Sequence, residues 1–158
     1  MKSKIAAFNR ARTWIPCAAA FALLLVAVPT SSSADQSAPV AIQPLQNAHF
    51  KSTGDPACLS SAVEMGDPSN GPSMVLLKAD KGCVVPLHFH SAAQEFMVIK
   101  GELKIEITSA PTATLGQAGF AYIPGKEPHR VTCTRKSECL WFLTIDGPLD
   151  ITTVKPGD

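Results

Sequence analysis

The sequence predicts an all-β domain, a small sandwich or barrel. From Cys58 to Val154, short apolar runs alternate with turn clusters rich in Gly, Pro, Asp and Asn. LKIEITS at 103–109 alternates apolar and polar residues with the period of two that a half-buried strand requires. No segment carries a convincing helical period of apolar residues.

Taken in order, CLSSAVEM reads as a strand and GDPSNGPS as a turn with two prolines and two glycines. SMVLLKA is the next strand, and ADKG the turn after it. CVVPLHFH follows, with Pro86 marking an edge or a bulge, because proline cannot donate to a ladder. SAA is a tight connection to QEFMVIK, and Gly101-Glu102 turns the chain into LKIEITS. TATL, FAYIP and HRVTC are short strands separated by GQAG and GKEP. TRKSE leads into the strongly apolar CLWFLTI, DGPLD breaks it, and ITTV closes the domain. That makes about nine or ten short strands.

The N-terminal region is of another kind. Lys2, Lys4, Arg10 and Arg12 precede an apolar stretch from Trp14 to Val28, and Ser32-Ser33-Ala34 offers small residues for cleavage. Residues 1–34 read as a Sec-type signal peptide cut after Ala34. The apolar stretch is about 15 residues, short of the ~20 that span a bilayer. The expected localisation is periplasmic or secreted, with no membrane contact in the mature form. Residues 35–57 read as an extended arm, since their prolines oppose a helix, and 58–158 as the folded domain. His49, in the arm, reads as a solvated loop histidine. Removal of the leader leaves 10 Lys and Arg against 13 Asp and Glu, a net charge of −3 with no basic cluster. Nucleic acid and anionic membranes are therefore disfavoured partners.

The mature chain keeps four cysteines, Cys58, Cys83, Cys133 and Cys139. An even count in an exported chain suggests disulfides. Three connectivities are open. Cys133–Cys139 is favoured as a clasp around TRKSE, together with Cys58–Cys83.

The chemistry is concentrated in GCVVPLHFHSAAQEFMVIKG, residues 82–101. His88 and His90 are two apart, so a strand points both imidazoles to one face. His129 lies on another strand-like stretch. Three converging neutral imidazoles suit a zinc, iron, copper, nickel or manganese ion. Phosphate-binding glycine loops and local signatures of a serine or cysteine nucleophile are absent, and no residue stands out as catalytic.

Gly82, His88-Phe89-His90 and Gly101 resemble the first of the two cupin motifs. Gly119, Pro124 and His129 resemble the second. EMGDPSNGPSMVLLK, PLHFH, GFAYIPGKEPHRVTC and DGPLDI are also similar to a subgroup of exported single-domain cupins. The resemblance implies a jelly-roll barrel, one divalent metal ion (Fe, Mn, Ni, Cu or Zn) and a small organic ligand. It leaves two functions open: a metal-dependent oxygenase or isomerase, or a module that binds a ligand or metal without turnover. It also implies a possible homodimer, which outward-facing Met97 and Ile99 could serve; the arm could cover them instead.

Several positions depart from the family pattern. Gly119 sits one residue too close to Pro124. Lys126 replaces a glycine, and Cys133 an asparagine. The family's carboxylate ligand falls on Gln94, with Glu95 as its neighbour. Adjacent strand residues face opposite sides. Gln94 is therefore expected inside with the histidines and Glu95 outside, unless a bulge after SAA reverses them. A neutral ligand set leaves a divalent site at +2, where a glutamate would leave +1. Phe96 shares the parity of Gln94. Tyr122 and Trp141, with polar tips on apolar bodies, are the first candidates for ligand contact.

Overall fold

The computed structural model describes residues 40–155. The leader and its cleavage site lie outside the described residues. Eleven strands form two antiparallel sheets: β1 (Lys51–Ser52), β2 (Leu59–Gly66), β3 (Ser73–Ala79), β4 (Val84–Phe89), β5 (Gln94–Lys100), β6 (Leu103–Ile107), β7 (Ala110–Leu115), β8 (Phe120–Ile123), β9 (His129–Cys133), β10 (Cys139–Ile145) and β11 (Thr152–Thr153). One sheet runs β1-β2-β3-β10-β5-β8 and the other β11-β4-β9-β6-β7. This is the all-β jelly-roll arrangement, seen as two facing sheets.

Each of the ten runs read as strands contains one. The addition is β1, two residues long and therefore too short to show a period. It pairs with Ser60 and Ser61 of β2, so the last part of the arm is an edge strand. Upstream, the arm makes a single 3-10 turn at Leu45–Asn47.

The inner faces of both sheets meet in one apolar core that includes Val75, Phe96, Leu103, Ile105, Val131 and Trp141. Each such side chain, fully buried, contributes about 1.5–3 kcal/mol relative to exposure. A second cluster forms on the outer face of the six-stranded sheet. There Ala62, Leu76 and Leu140 are covered by Ala48 and Phe50 of the arm, with Ile99 and Phe142 alongside. Ile99 is thus half-buried beside the arm, whereas Met97 is 54% exposed.

Two disulfides tie the edges of this frame, Cys58–Cys83 and Cys133–Cys139. The first fixes the start of β2 to the start of β4. The second closes the β9–β10 turn. Such pairs fit an oxidising compartment. Among the described residues no helix is long and apolar enough to cross a membrane.

The turn from β5 to β6 depends on Gly101, whose φ is +84°. A Cβ there would lie 2.5 Å from the Glu138 carbonyl oxygen and 2.9 Å from the Cys139 Cα. Gly116 has open space around it. Gly101→Ala is expected to cost about 3 kcal/mol, or about 10 °C in Tm. Gly116→Ala should stay within about 0.5 kcal/mol. Thermal denaturation of the two variants checks the contrast; equal melting temperatures would contradict it.

Candidate metal centre

The centre is built on the pairing of β4 with β9. Val85 lies opposite Val131, and His88 opposite His129, with a bulge between them. Three residues of β4 therefore span two of β9. Under strict alternation, His88 would face away from the side that Val85 faces. The extra residue at Pro86-Leu87 turns His88 and, two further on, His90 toward the core. Pro86 has no N–H to lose from the ladder, which makes it a fitting residue for that bulge.

All three histidines are buried, with His129 only 1% exposed. Their candidate ligand nitrogens lie within 4.8 Å of one another. Each ring is held from behind by a carbonyl. His88 Nδ1 donates to Pro86 O at 2.7 Å, and His129 Nδ1 to Glu127 O at 2.9 Å. His90 Nδ1 donates to Asp150 O. A carbonyl can only accept, so each Nδ1 carries the proton and each Nε2 presents a lone pair inward. His88 Nε2 and His90 Nε2 are 3.2 Å apart. With both tautomers fixed, two lone pairs face each other at that distance, and a cation between them removes the repulsion.

Burial lowers the pKa of all three imidazoles. Desolvation is the largest cause for His88 and His90, opposed by their carbonyl partners. His129 is pushed down to about 4, again chiefly by desolvation. The rings are neutral at pH 7, as metal ligation requires.

Gln94 completes the ring of donors. It is 2% exposed and pairs with Ile123 and Ile145, both inward residues. Its Nε2 donates to His129 Nε2 at 2.8 Å, while its Oε1 is buried with no partner. A metal at His129 Nε2 requires the amide oxygen in place of the NH2 group, and that oxygen is the orphaned atom. Glu95 pairs with Tyr122 and Thr144 on the outer face, where its Oε2 accepts from Thr144 Oγ1 at 2.9 Å. The donor set of three imidazoles and an amide fits a borderline divalent ion such as zinc, copper, iron or nickel.

The loop between β8 and β9 presses against this site. Lys126 N donates to His90 O at 2.7 Å, and a Cβ on Gly125 would meet Ser91 O at 2.4 Å. Lys126 adopts φ +65°, so the lysine takes up the left-handed backbone that a glycine would hold more cheaply. Ala118 does the same at φ +63°. The left-handed turn residue thus lies one position before Gly119, which restores the motif's spacing to Pro124.

A cavity of about 130 Å³ opens above the histidines. His88, His90 and Gln94 line it, and Phe96, Trp141 and Leu143 form apolar wall. The indole Nε1 of Trp141 is buried without a partner. Tyr122 is not part of it. Opposite Glu95 in register, Tyr122 projects from the outer face and is 56% exposed, so the expectation of ligand contact there is corrected by strand parity. Part of the rim comes from residues that carry no signal in the sequence: Thr53, Asp55 and Pro56 before β2, and Leu149 and Ile151 before β11. Their role depends on long-range folding of both ends of the chain.

Residues 75–148 match the family described as "Cupin domain". No curated protein sequence matches the chain significantly. Among solved structures, the polyketide cyclase RemF from Streptomyces resistomycificus superposes with a TM-score of 0.64 at 15% identity, over 76% of this chain and 89% of that one. An RmlC-like cupin from Ralstonia eutropha gives 0.63 at 14%, over 77% and 76%. The DMSP lyase DddQ from Ruegeria pomeroyi gives 0.59 at 16%, over 77% and 75%. These likenesses concern the fold. Residues 75–148 thus carry a cupin domain, the stretch that includes His88, His90, Gln94 and His129.

Proposed function

We propose that the protein is an exported mononuclear metal-binding cupin that acts on a small organic molecule. One observation carries the reading. Three Nδ1–H groups are tied to backbone carbonyls, which leaves three Nε2 lone pairs aimed at one point. Such outer partners fix ring orientation and raise ligand basicity. His88, His90 and His129 hold the ion, and Gln94 offers the fourth donor. The bound metal supplies Lewis acidity, and open positions for water and substrate.

The chain's own groups define the rest. The apolar walls exclude water from the site and strengthen charge interactions within it. Gln94 cannot act as a base, so no general base sits among the donors. That favours chemistry driven by polarisation of a bound oxygen, as in isomerisation, or by dioxygen at an iron or copper ion. It also favours, as a second reading, a binding module without turnover. RemF and DddQ are named as enzymes, a polyketide cyclase and a DMSP lyase. Enzymatic neighbours on this fold support the first reading without choosing its reaction. Oxygen uptake and product analysis with phenolic, diketone and organic-acid substrates separate the two; absence of turnover with each reconstituted metal would favour binding alone.

In this reading residues 1–34 are removed after Ala34, and 58–158 form the functional domain behind the arm at 35–57. Two copies pair through the outer face of the six-stranded sheet, where Met65, Met97 and Phe120 are each more than half exposed. Light scattering of the mature protein should give twice the chain mass.

Elemental analysis of the purified protein should find about one divalent ion per chain. The ion should vanish in the His88→Ala/His129→Ala variant. Metal at about a hundred times its Kd stabilises the fold by ~2.7 kcal/mol, so stripping it should lower Tm by several degrees. An equal Tm with and without metal would sink the proposal.

The fourth donor has its own test. Gln94→Glu replaces an amide with a carboxylate and should tighten metal binding by about tenfold or more. Glu95→Ala, altering an outward residue, should leave metal affinity unchanged. Release of metal by Glu95→Ala but not by Gln94→Ala would reverse the assignment; competition with a chromogenic chelator measures both.

A further inference from the structure

The cavity's lining includes one charged side chain, and it is not near the base. No lysine or arginine lines it among the described residues. Asp55 is the sole carboxylate, and it belongs to the loop between β1 and β2. The same loop contributes Thr53 and Pro56 to the lining. Asp55 is exposed, as are Thr53 and Ile151, so these residues mark the mouth.

This loop is held more firmly than a connection between two strands requires. Thr53 N donates to Leu59 O at 3.1 Å, and Leu59 N to Pro56 O at 3.0 Å. Thr53 Oγ1 reaches Leu59 O at 3.2 Å and Pro56 O at 3.4 Å. Gly54 N donates to Ser52 Oγ at 3.2 Å. Cys58, at the loop's end, is bonded to Cys83. Within this frame the Asp55 carboxylate accepts no hydrogen bond and meets no cation among the described residues. Aspartates in turns ordinarily bind their own backbone. Two others here do bind backbone N–H groups: Asp67 Oδ1 takes Ser69 N at 2.9 Å, and Asp150 Oδ1 takes Ser91 N at 2.9 Å. Asp55 is left without a hydrogen-bond partner among the described residues, on a hydrogen-bonded loop at the rim.

We infer that Asp55 is a specificity-determining residue. It selects a compact ligand with a metal-binding oxygen at one end, a short apolar body, and a hydrogen-bond donor at the other, strongest when cationic. The inference rests on the metal reading for the inner end only. Charge complementarity gives it direction. Neutral donors leave a bound divalent ion at +2 at the base, which calls for an anionic or strongly polar oxygen. The apolar wall calls for a hydrocarbon middle. The carboxylate at the mouth calls for a donor, and it opposes a second anionic end. Size sets the length: a cavity of about 150 Å³ holds benzene, so about 130 Å³ admits a chain of roughly five or six heavy atoms.

The test uses the zinc-loaded mature protein and isothermal titration at pH 7. The probes are straight-chain carboxylates of two to six carbons and the same acids carrying a terminal amine. At one chain length the amino acid should bind about fivefold more tightly than its parent acid. Asp55→Asn should abolish that preference while keeping the affinity for the parent acid and the metal content. Asp55→Glu, which brings the carboxylate one methylene further, should move the preferred length to a shorter chain. Binding by the carboxylates without preference for the amine, an undiminished preference in Asp55→Asn, or no binding at any length would each overturn the assignment. If the amine preference persists equally in metal-stripped protein, the metal reading fails and the role of Asp55 stands.

Discussion

The site depends on the register of β4 against β9. His88 faces His129 only because one extra residue is accommodated between the Val85–Val131 pair and the His88–His129 pair. Without the bulge, Leu87 would oppose His129, and His88 and His90 would both point away from the core. A one-residue slip would therefore do more than loosen the centre. It would replace imidazoles with a leucine and place two polar rings on the outer face. The stretch after the bulge is fixed again at once. β11 pairs with Phe89 and His88, and Asp150 just before it accepts from His90. The C-terminal segment is thus part of the support for a histidine sixty residues earlier.

A parallel constraint decides Gln94 against Glu95. β5 is flanked by β8 and β10, and both neighbours put an isoleucine beside Gln94 and a polar or aromatic residue beside Glu95. Turning Glu95 inward would bury its charge among Ile123 and Ile145 unless a metal met it at once. Turning Gln94 outward would remove a hydrogen bond from His129. The amide therefore serves two conditions. It is tolerable in the metal-free state, because an NH2 group can donate to the bare His129 nitrogen. A carboxylate at that place would face a lone pair instead and would need a proton or an ion. The weaker donor spares the bare His129 nitrogen that clash, at the cost of leaving its own Oε1 without a partner.

Much of this was legible in the sequence, for definite reasons. Period-two alternation marked β6, where Leu103 and Ile105 are buried and Lys104 and Glu106 are not. Pro86 signalled the bulge because a missing N–H has few places in a ladder. Other features were hidden for equally physical reasons. β1 is two residues long, and its existence depends on Ser60 and Ser61 being unpaired on that side of β2. The left-handed turn at Ala118 has no glycine to announce it. Tyr122 looked suitable by side-chain chemistry, but its facing is fixed by pairing with Glu95, two strands of context that a local reading lacks. The mouth is harder still, since Asp55 and Ile151 come from opposite ends of the domain.

That origin bears on how selectivity and metal affinity can vary. His88, Gln94 and His129 sit on β4, β5 and β9, each strand paired on both sides, and His90 directly follows β4. The rim sits on a loop and on the segment before β11, held by hydrogen bonds and the Cys58–Cys83 link, with Leu149 also packed against the core. Substitutions at the exposed Thr53, Asp55 or Ile151 leave the buried apolar surface intact and cost little in stability. Substitutions among the donors disturb buried polar groups that have fixed partners, at a cost of about 1–3 kcal/mol for each one left unpaired. The architecture therefore separates the two: the sheets place the buried donor set, and the segments before β2 and β11 line the mouth of the cavity above it.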